Sequence, residues 1–187
     1  MVDLRYPVGM FEWTIPASAS QAANNRAGYI EAIAALPSQM RAAVRDLRPE
    51  QLDTPYRPDG WTVRQVVHHV PDSHMNAYIR FKLALTEDQP PIKPYKEAEW
   101  AKLADTGATP VEVSLQLLAA LHTRWVELLR AMKASDFERT LYHPEHGALT
   151  LDRMLALYAW HSRHHLAHIT ALRERMGWNT RAASAPA

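Results

Sequence analysis

The fold of this 187-residue chain is decided by a histidine-rich stretch, Leu157-Tyr158-Ala159-Trp160-His161-Ser162-Arg163-His164-His165-Leu166-Ala167-His168. His161 and His165 are four residues apart, and residues at that spacing stack on one face of an α-helix, a turn apart. At about 100° per residue, one narrow sector of this helix holds six side chains: Met154, Tyr158, His161, His165, His168 and Leu172. The pattern therefore predicts a helix whose buried stripe has imidazoles at its centre.

Imidazoles in a buried stripe need partners, because burying a polar ring without one costs free energy. The spacing of His161 and His165 suits two ligands of a single cation, which would satisfy both rings together. A zinc-type site needs at least one further ligand and, if it is catalytic, an open coordination position. The third ligand must come from elsewhere in the chain.

Three other long helices are predicted from apolar spacing and capping signals. The first covers Asn25 to Leu47 and is interrupted at Pro37, which we expect to begin a second helical segment. The next starts with Thr62 as N-cap and Gln65 completing a capping box, and it continues to about Leu85. Inside it, Pro71 is expected to bend the helix near His69.

The remaining two helices also have recognisable ends. One begins at Thr109-Pro110, with Glu112 closing a capping box around a proline in the first helical position. The histidine-rich helix begins near Thr150 and ends at Met176-Gly177. Residues 88–108 form a proline-rich loop with a short helix around 96–103. We expect this loop to edge a pocket, with a role as a linker or in dimer contacts as equal alternatives.

No alternating strand pattern is predicted anywhere in the chain. The favoured fold class is therefore all-α, a four-helix bundle with extra short helices and long loops, and bundle cores commonly hold metal sites. We expect one domain over residues 1–187, with residues 181–187 as a frayed tail.

The composition excludes several classes of protein. The net charge is +1, from 21 Lys and Arg against 20 Asp and Glu, so no basic surface for nucleic acid is indicated. No apolar run approaches a membrane span, and the first residues lack the regions of a signal peptide. Cysteine is absent, which excludes disulfides, a thiolate nucleophile and a Cys-ligated metal. We expect a cytoplasmic protein without nucleic-acid or membrane partners, with homodimer formation left open.

Periodicity sorts the remaining histidines only in part. His143 and His146 belong to a loop, and His122 is expected in the core. Helical-wheel positions place His68 nearly opposite the apolar face of its helix, so we expect it to be solvated. His69 lies at the edge of that face and His74 lies within it. Either could be the third ligand, and the spacing does not choose between them.

Four segments resemble a known family. The run Gly60-Trp61-Thr62-Val63-Arg64-Gln65-Val66-Val67-His68-His69 resembles a helix signature of the DinB superfamily. The segments 143–147 (His-Pro-Glu-His-Gly) and 158–165, with the opening at 4–7 (Leu-Arg-Tyr-Pro), are similar to its YfiT branch. The resemblance spans nearly the whole chain and implies a four-helix bundle with three metal ligands, His69, His161 and His165. One departure is Pro71, where the family usually has a helix-compatible residue such as alanine.

The resemblance also implies a function. It predicts a metal-dependent hydrolase whose open three-histidine site activates water for attack on a small electrophilic substrate. The alternatives are an S-transferase for a low-molecular-weight thiol of the bacillithiol type and a structural, non-catalytic metal-binding bundle. One divalent ion per chain is expected, with zinc first and nickel second.

The sequence names no catalytic residue. Asp72, Asn76 and Arg80 lie on or near the ridge of His69 and are considered as a base or as orienting groups. His168 is interpreted as a neighbour of the site rather than a ligand, and Tyr158 as a core aromatic residue.

Overall fold

Four long helices form the scaffold in a computed structural model that describes residues 3–178. They are α1 (Ala19–Val44), α3 (Val63–Thr86), α6 (Val111–Ala131) and α7 (Leu151–Arg175). Shorter helices connect them: α2 (Pro49–Leu52), α4 (Glu97–Trp100), α5 (Ala104–Ala108) and a 3-10 turn (Ala134–Glu138). Both α1 and α3 pack against α6 and α7, so the predicted four-helix bundle is confirmed. The predicted tail, residues 181–187, lies outside the described residues.

Helix α1 passes through Pro37 without a break, so the prediction that this proline begins a second segment is wrong. A proline removes one backbone N–H, the one that would bond the carbonyl four residues earlier, here that of Ile33. The Nδ1 atom of His122 lies 2.7 Å from this carbonyl oxygen and replaces the missing donor. Leu36 and Met40 on either side of the proline are fully buried, which holds the two halves in line.

Helix α3 begins as the sequence predicts. The hydroxyl of Thr62 accepts a bond from the Gln65 N–H at 3.1 Å, and Gln65 Oε1 accepts from the Thr62 N–H at 2.9 Å. This is the predicted capping box, and it satisfies two N–H groups at the start of the helix. The helix continues through Pro71 to Thr86.

The predicted capping box of α6 is not formed. Its N-cap is Pro110, which has no side chain to accept a bond, and the proline precedes the helix instead of occupying its first position. Thr109 is instead the C-cap of α5, and its N–H donates to the carbonyl of Asp105 at 2.9 Å. Because α5 ends immediately before α6 begins, Thr109 caps the C-terminus of α5 and not the N-terminus of α6.

A two-stranded hairpin precedes α7, so the prediction that the chain has no strand is wrong. Strand β1 (Thr140–His143) pairs antiparallel with β2 (Gly147–Thr150). Each strand has four residues, which is too short to show a convincing alternation. Gly147 has a φ of 69°, a left-handed conformation that glycine adopts without steric cost. The last residue of β2, Thr150, caps α7 by accepting the Arg153 N–H at 3.2 Å.

The hairpin also holds the loop before α4. The Ile92 N–H donates to the Tyr142 carbonyl, and the Tyr142 N–H donates to the Pro90 carbonyl, each at 3.0 Å. These two bonds attach the start of the 88–108 segment to the bundle. They therefore help to place the residues that follow, Tyr95 among them.

Apolar side chains fill the bundle in two clusters, one around Trp125 and one around Leu118. Along α6, His122 lies between the two, and His74 has the same position on α3. A buried layer of histidines thus separates the two apolar clusters. Among residues 3–178, every helix is too short or too polar to span a bilayer.

Candidate metal centre

The three histidines that the family resemblance selects lie together in the structure. His69 comes from α3, and His161 and His165 from successive turns of α7. One ring nitrogen of each lies within 4.8 Å of the others, and the Nε2 atoms of His69 and His161 are 3.3 Å apart. Ligands on a tetrahedral zinc ion at about 2.0–2.1 Å are separated by about 3.3–3.4 Å. The separation of the His69 and His161 nitrogens therefore matches that of two ligands on one zinc ion, and a ring nitrogen of His165 lies within 4.8 Å of both.

The charge state of the three rings is also suitable. Burial lowers the pKa of His69 to about 4, and it lowers the pKa values of His161 and His165 well below their ordinary value. Neighbouring histidines add to the effect, since a positive charge on one ring opposes protonation of the next. Near pH 7 all three imidazoles are neutral and present lone pairs. The Nδ1 atom of His165 is buried and has no hydrogen-bond partner among residues 3–178.

The three histidines border a cavity of about 470 Å³. Its aromatic wall stands directly over the site, because the ring of Trp61 is centred 4.6 Å from His69 and stacks on His165 at 6.3 Å. Aromatic, charged and polar side chains make up the rest of the lining: Tyr56, Tyr95, Trp160, Arg57, Asp59, Glu97 and Ser73, with His164 and His168. The nitrogen cluster is thus open towards space that a small molecule can occupy.

The 88–108 segment contributes to this cavity, which confirms the expectation that it edges a pocket. Tyr95 and Glu97 both line the wall. Burial raises the pKa of Tyr95 to about 12, so its phenol keeps its proton and acts as a hydrogen-bond donor. No sequence signal singles out these two side chains, because their approach to the site depends on the path of the loop.

His74, the other candidate for the third ligand, lies behind the site. It is fully buried, and its Nε2 atom is 3.0 Å from Nδ1 of His161. Its Nδ1 atom lies 2.9 Å from Nε2 of His122. Of the two candidates, His69 faces the cluster from the cavity side, whereas His74 contacts only the far edge of the His161 ring.

His68 is not solvated, and that prediction is wrong. It is 7% exposed, and its Nδ1 atom lies 2.7 Å from the hydroxyl oxygen of Ser114. Ser114 belongs to the first turns of α6, which packs on this side of α3. The helical positions of the apolar residues reveal only one buried face of α3. The structure shows a second buried face, where the polar contact between His68 and Ser114 excludes solvent.

The other histidines of α7 have contacts of their own. His168, expected as a neighbour of the site, lies with Nε2 at 3.2 Å from the Arg5 carbonyl and stacks on Tyr56 at 3.8 Å. Together with His164 and His165 it forms a second group of adjacent ring nitrogens. A third group, at the hairpin turn, combines ring nitrogens of His143 and His146 with a carboxylate oxygen of Glu145.

The residues considered as a base do not line the cavity. Asn76 donates to the Asp72 carbonyl at 2.9 Å, and Arg80 donates to the Lys93 carbonyl at 3.1 Å, which anchors the loop. Burial raises the pKa of Asp72 to about 6, but its carboxylate is not part of the cavity wall. Ser73, on the same ridge, does line the wall, with its hydroxyl 3.4 Å from Nε2 of His161.

Comparison with known proteins agrees with this fold. The profile of the DinB superfamily matches residues 32–169. The chain belongs to the DinB superfamily, and the resemblance seen in the sequence is confirmed.

Within that superfamily the chain is similar to several Bacillus proteins. A protein of Bacillus cereus (strain 03BB102) named "Putative metal-dependent hydrolase" is 54% identical over 178 residues, covering 95% of this chain and 100% of the relative. A protein of Bacillus thuringiensis subsp. konkukian with the same description matches equally well, at 54% identity over 95% of this chain and 100% of the relative.

Among solved structures, YfiT from Bacillus subtilis superposes with a TM-score of 0.87 at 47% identity. The match covers 94% of this chain and 99% of YfiT, which is described as a probable metal-dependent hydrolase with an unusual four-helix bundle topology.

Proposed function

We propose that this chain is a metal-dependent hydrolase in which His69, His161 and His165 bind one divalent ion, with zinc as the expected metal. The observation that carries the proposal is the cluster of three neutral ring nitrogens within 4.8 Å of one another, at the wall of a cavity. The names of the Bacillus relatives support the same class of activity. A closed structural site would be surrounded by protein ligands, whereas this cluster faces open space.

The chemistry divides between the ion and the cavity wall. A divalent ion held by His69, His161 and His165 would acidify water and polarise the electrophilic group of a substrate. The carboxylates of Asp59 and Glu97, which line the same cavity, can accept the proton released during attack. The phenol of Tyr95 keeps its proton and can donate a hydrogen bond to charge that develops on the substrate.

The cavity limits the substrate to a small molecule, because its volume of about 470 Å³ is in the range of ordinary ligand sites. Tyr56, Trp61 and Trp160 offer aromatic faces for an apolar portion. Arg57 supplies the cationic group of the lining, and its buried Nε has no hydrogen-bond partner within the described chain. A substrate with an apolar body and an anionic substituent would satisfy both features.

The test uses metal-loaded protein and a panel of small electrophiles, including esters and amides, with and without an added low-molecular-weight thiol. Hydrolysis that needs no thiol and is lost in His69→Ala is the expected result. His143→Ala is the matched control, because this histidine lies at the hairpin turn, away from the cavity.

Two outcomes would overturn the proposal. Conjugation that requires the thiol would replace the hydrolase with an S-transferase that uses the same site. If neither the hydrolysis product nor the thiol conjugate forms, and the bound ion has no exchangeable ligand, the metal has a structural role.

A further inference from the structure

A chain of hydrogen-bonding contacts crosses the core from α1 to the metal centre. The Ile33 carbonyl oxygen lies 2.7 Å from Nδ1 of His122, and Nε2 of His122 lies 2.9 Å from Nδ1 of His74. Nε2 of His74 lies 3.0 Å from Nδ1 of His161. These four residues, here called the histidine relay, come one each from α1, α6, α3 and α7.

The direction of every bond in the relay follows from its starting point. A carbonyl oxygen can only accept, so the proton of His122 must be on Nδ1. A neutral imidazole has a single N–H, so Nε2 of His122 accepts, and His74 must donate from its own Nδ1. By the same reasoning, Nε2 of His74 accepts and His161 donates from Nδ1. Three protons occupy three contacts, and Nε2 of His161 is left with a lone pair.

The carbonyl that begins the relay is free because of Pro37. In a regular helix, the N–H of residue 37 would bond the carbonyl of Ile33, and proline has no N–H to offer. His122 takes this place. The proline inside α1 thus leaves a free carbonyl acceptor within the core, at the end of the relay where the tautomer of His122 is set.

The residues around His74 and His122 offer their ring nitrogens few other hydrogen-bond partners. His74 is 0% exposed and His122 is 2% exposed, so water does not compete for their ring nitrogens. Trp125 and Tyr158 stand edge-on against His74, with ring centres at 5.6 and 5.3 Å. Burial lowers the pKa of His122 to about 4, which agrees with a neutral ring.

We propose that His74 and His122 are positioning residues that hold His161 in its Nδ1–H tautomer, so that its Nε2 lone pair is aimed at the divalent ion. The inference rests on the proposed metal site for its purpose, but the tautomer itself is a property of the metal-free chain. Without the relay, a proton on Nε2 of His161 would point at Nε2 of His69, 3.3 Å away, and block binding.

The first test is nitrogen-15 NMR of the histidine rings in metal-free protein. We expect His122, His74 and His161 all in the Nδ1–H tautomer, which is the less common form of a neutral histidine in water. Observation of an Nε2–H proton on His161 would overturn the inference. Because no metal is present, this result does not depend on whether the hydrolase proposal holds.

The second test compares His74→Leu with His74→Gln by metal titration. Leucine cannot accept the His161 proton, whereas the amide oxygen of glutamine can replace Nε2 as the acceptor. We expect about a 10- to 100-fold weaker affinity for zinc in the leucine variant, which is typical of losing a partner of a ligand histidine, and recovery of most of it in the glutamine variant. His68→Leu is the matched control, another buried histidine of α3 that bonds Ser114 outside the relay.

Unchanged zinc affinity in His74→Leu would overturn the inference. Equal losses in all three variants, His68→Leu included, would show a packing effect and would also overturn it. If His74→Leu does not fold, the tautomer of His161 in the wild-type chain decides the question.

Discussion

Ten histidines occur in this sequence, and their ring-nitrogen partners distinguish them better than their burial does. His68 bonds a hydroxyl group, while His122 and His168 bond backbone carbonyls. His74 meets ring nitrogens of His122 and His161 inside the core, whereas His69 and His161 bring their Nε2 atoms to 3.3 Å at the wall of the cavity. Such facing acceptors are unfavourable unless a proton or a cation lies between them, which is why the geometry supports a metal site.

A single substitution tests the ligand set. Replacing His165 with alanine removes one of three donors, and we expect the variant to lose stoichiometric metal, because a site with two imidazoles falls short of the three protein ligands of an open zinc site. Elemental analysis of protein purified without a histidine tag measures this directly. His143→Ala should retain one ion per chain, and a full complement of metal in His165→Ala would contradict the assignment.

The sequence could supply only part of this site. The spacing of His161 and His165 identifies a pair on one helical face, but His69 and His74 both lie on or beside the apolar face of α3. Their difference arises from the way α3 and α7 are rotated against each other, which no single helix encodes. His69 was selected by the motif that it shares with the DinB superfamily and not by its position on the helix.

At the scale of elements, the two threonines that the sequence marks as N-caps have different roles. Thr62 accepts the Gln65 N–H at 3.1 Å, whereas Thr109 ends α5 and caps nothing in α6. We expect Thr62→Ala to lower the free energy of unfolding by about 1 kcal/mol, the usual contribution of such a cap. Urea unfolding followed by circular dichroism measures the change.

Thr109→Ala is the matched control for this substitution. It removes the same atoms from a residue that the sequence suggests is equivalent, and we expect a change within about 0.5 kcal/mol. A loss in Thr109→Ala as large as that in Thr62→Ala would show that the start of α6 is capped as the sequence predicts.

The long helices were predictable because apolar periodicity and capping residues are local properties of the chain. The hairpin was not, since its strands of four residues are held by Leu141 and Leu149, which are buried in the bundle. Pro37 was misread for a similar reason. Its cost to α1 is offset by a donor from α6, a partner that lies 85 residues further along the chain (122 − 37).

At the scale of the whole molecule, the buried histidines make stability depend on pH. The pKa values of His69 and His122 fall from 6.5 in the unfolded chain to about 4 in the fold, because burial disfavours the charged ring. Between pH 6.5 and 4 the unfolded chain therefore binds protons that the folded chain does not. The free energy of unfolding of metal-free protein should fall as pH is lowered through this window, by up to about 3 kcal/mol for each such histidine. Urea unfolding at a series of pH values measures the slope.

One group acts in the opposite sense. The pKa of Asp72 is raised by burial from 3.8 to about 6, so protonation of this carboxyl stabilises the fold as pH falls. Asp72→Asn removes that contribution, and the decline between about pH 6 and 3.8 should become steeper in the variant. A free energy of unfolding that stays constant or rises on acidification would contradict the neutral, buried state of the histidines.

The histidine relay also bears on how the bundle chooses a single arrangement. Apolar side chains alone tolerate small rotations and slides of one helix past another, since one methyl group can replace another in a contact. Each of the four long helices here contributes one member to a line of directional bonds. If any helix moved along its axis, a donor or an acceptor of the relay would be left buried without a partner. Each such group costs about 1–3 kcal/mol. The histidine relay thus selects the relative positions of the four helices, because all three of its hydrogen bonds form together in only one arrangement.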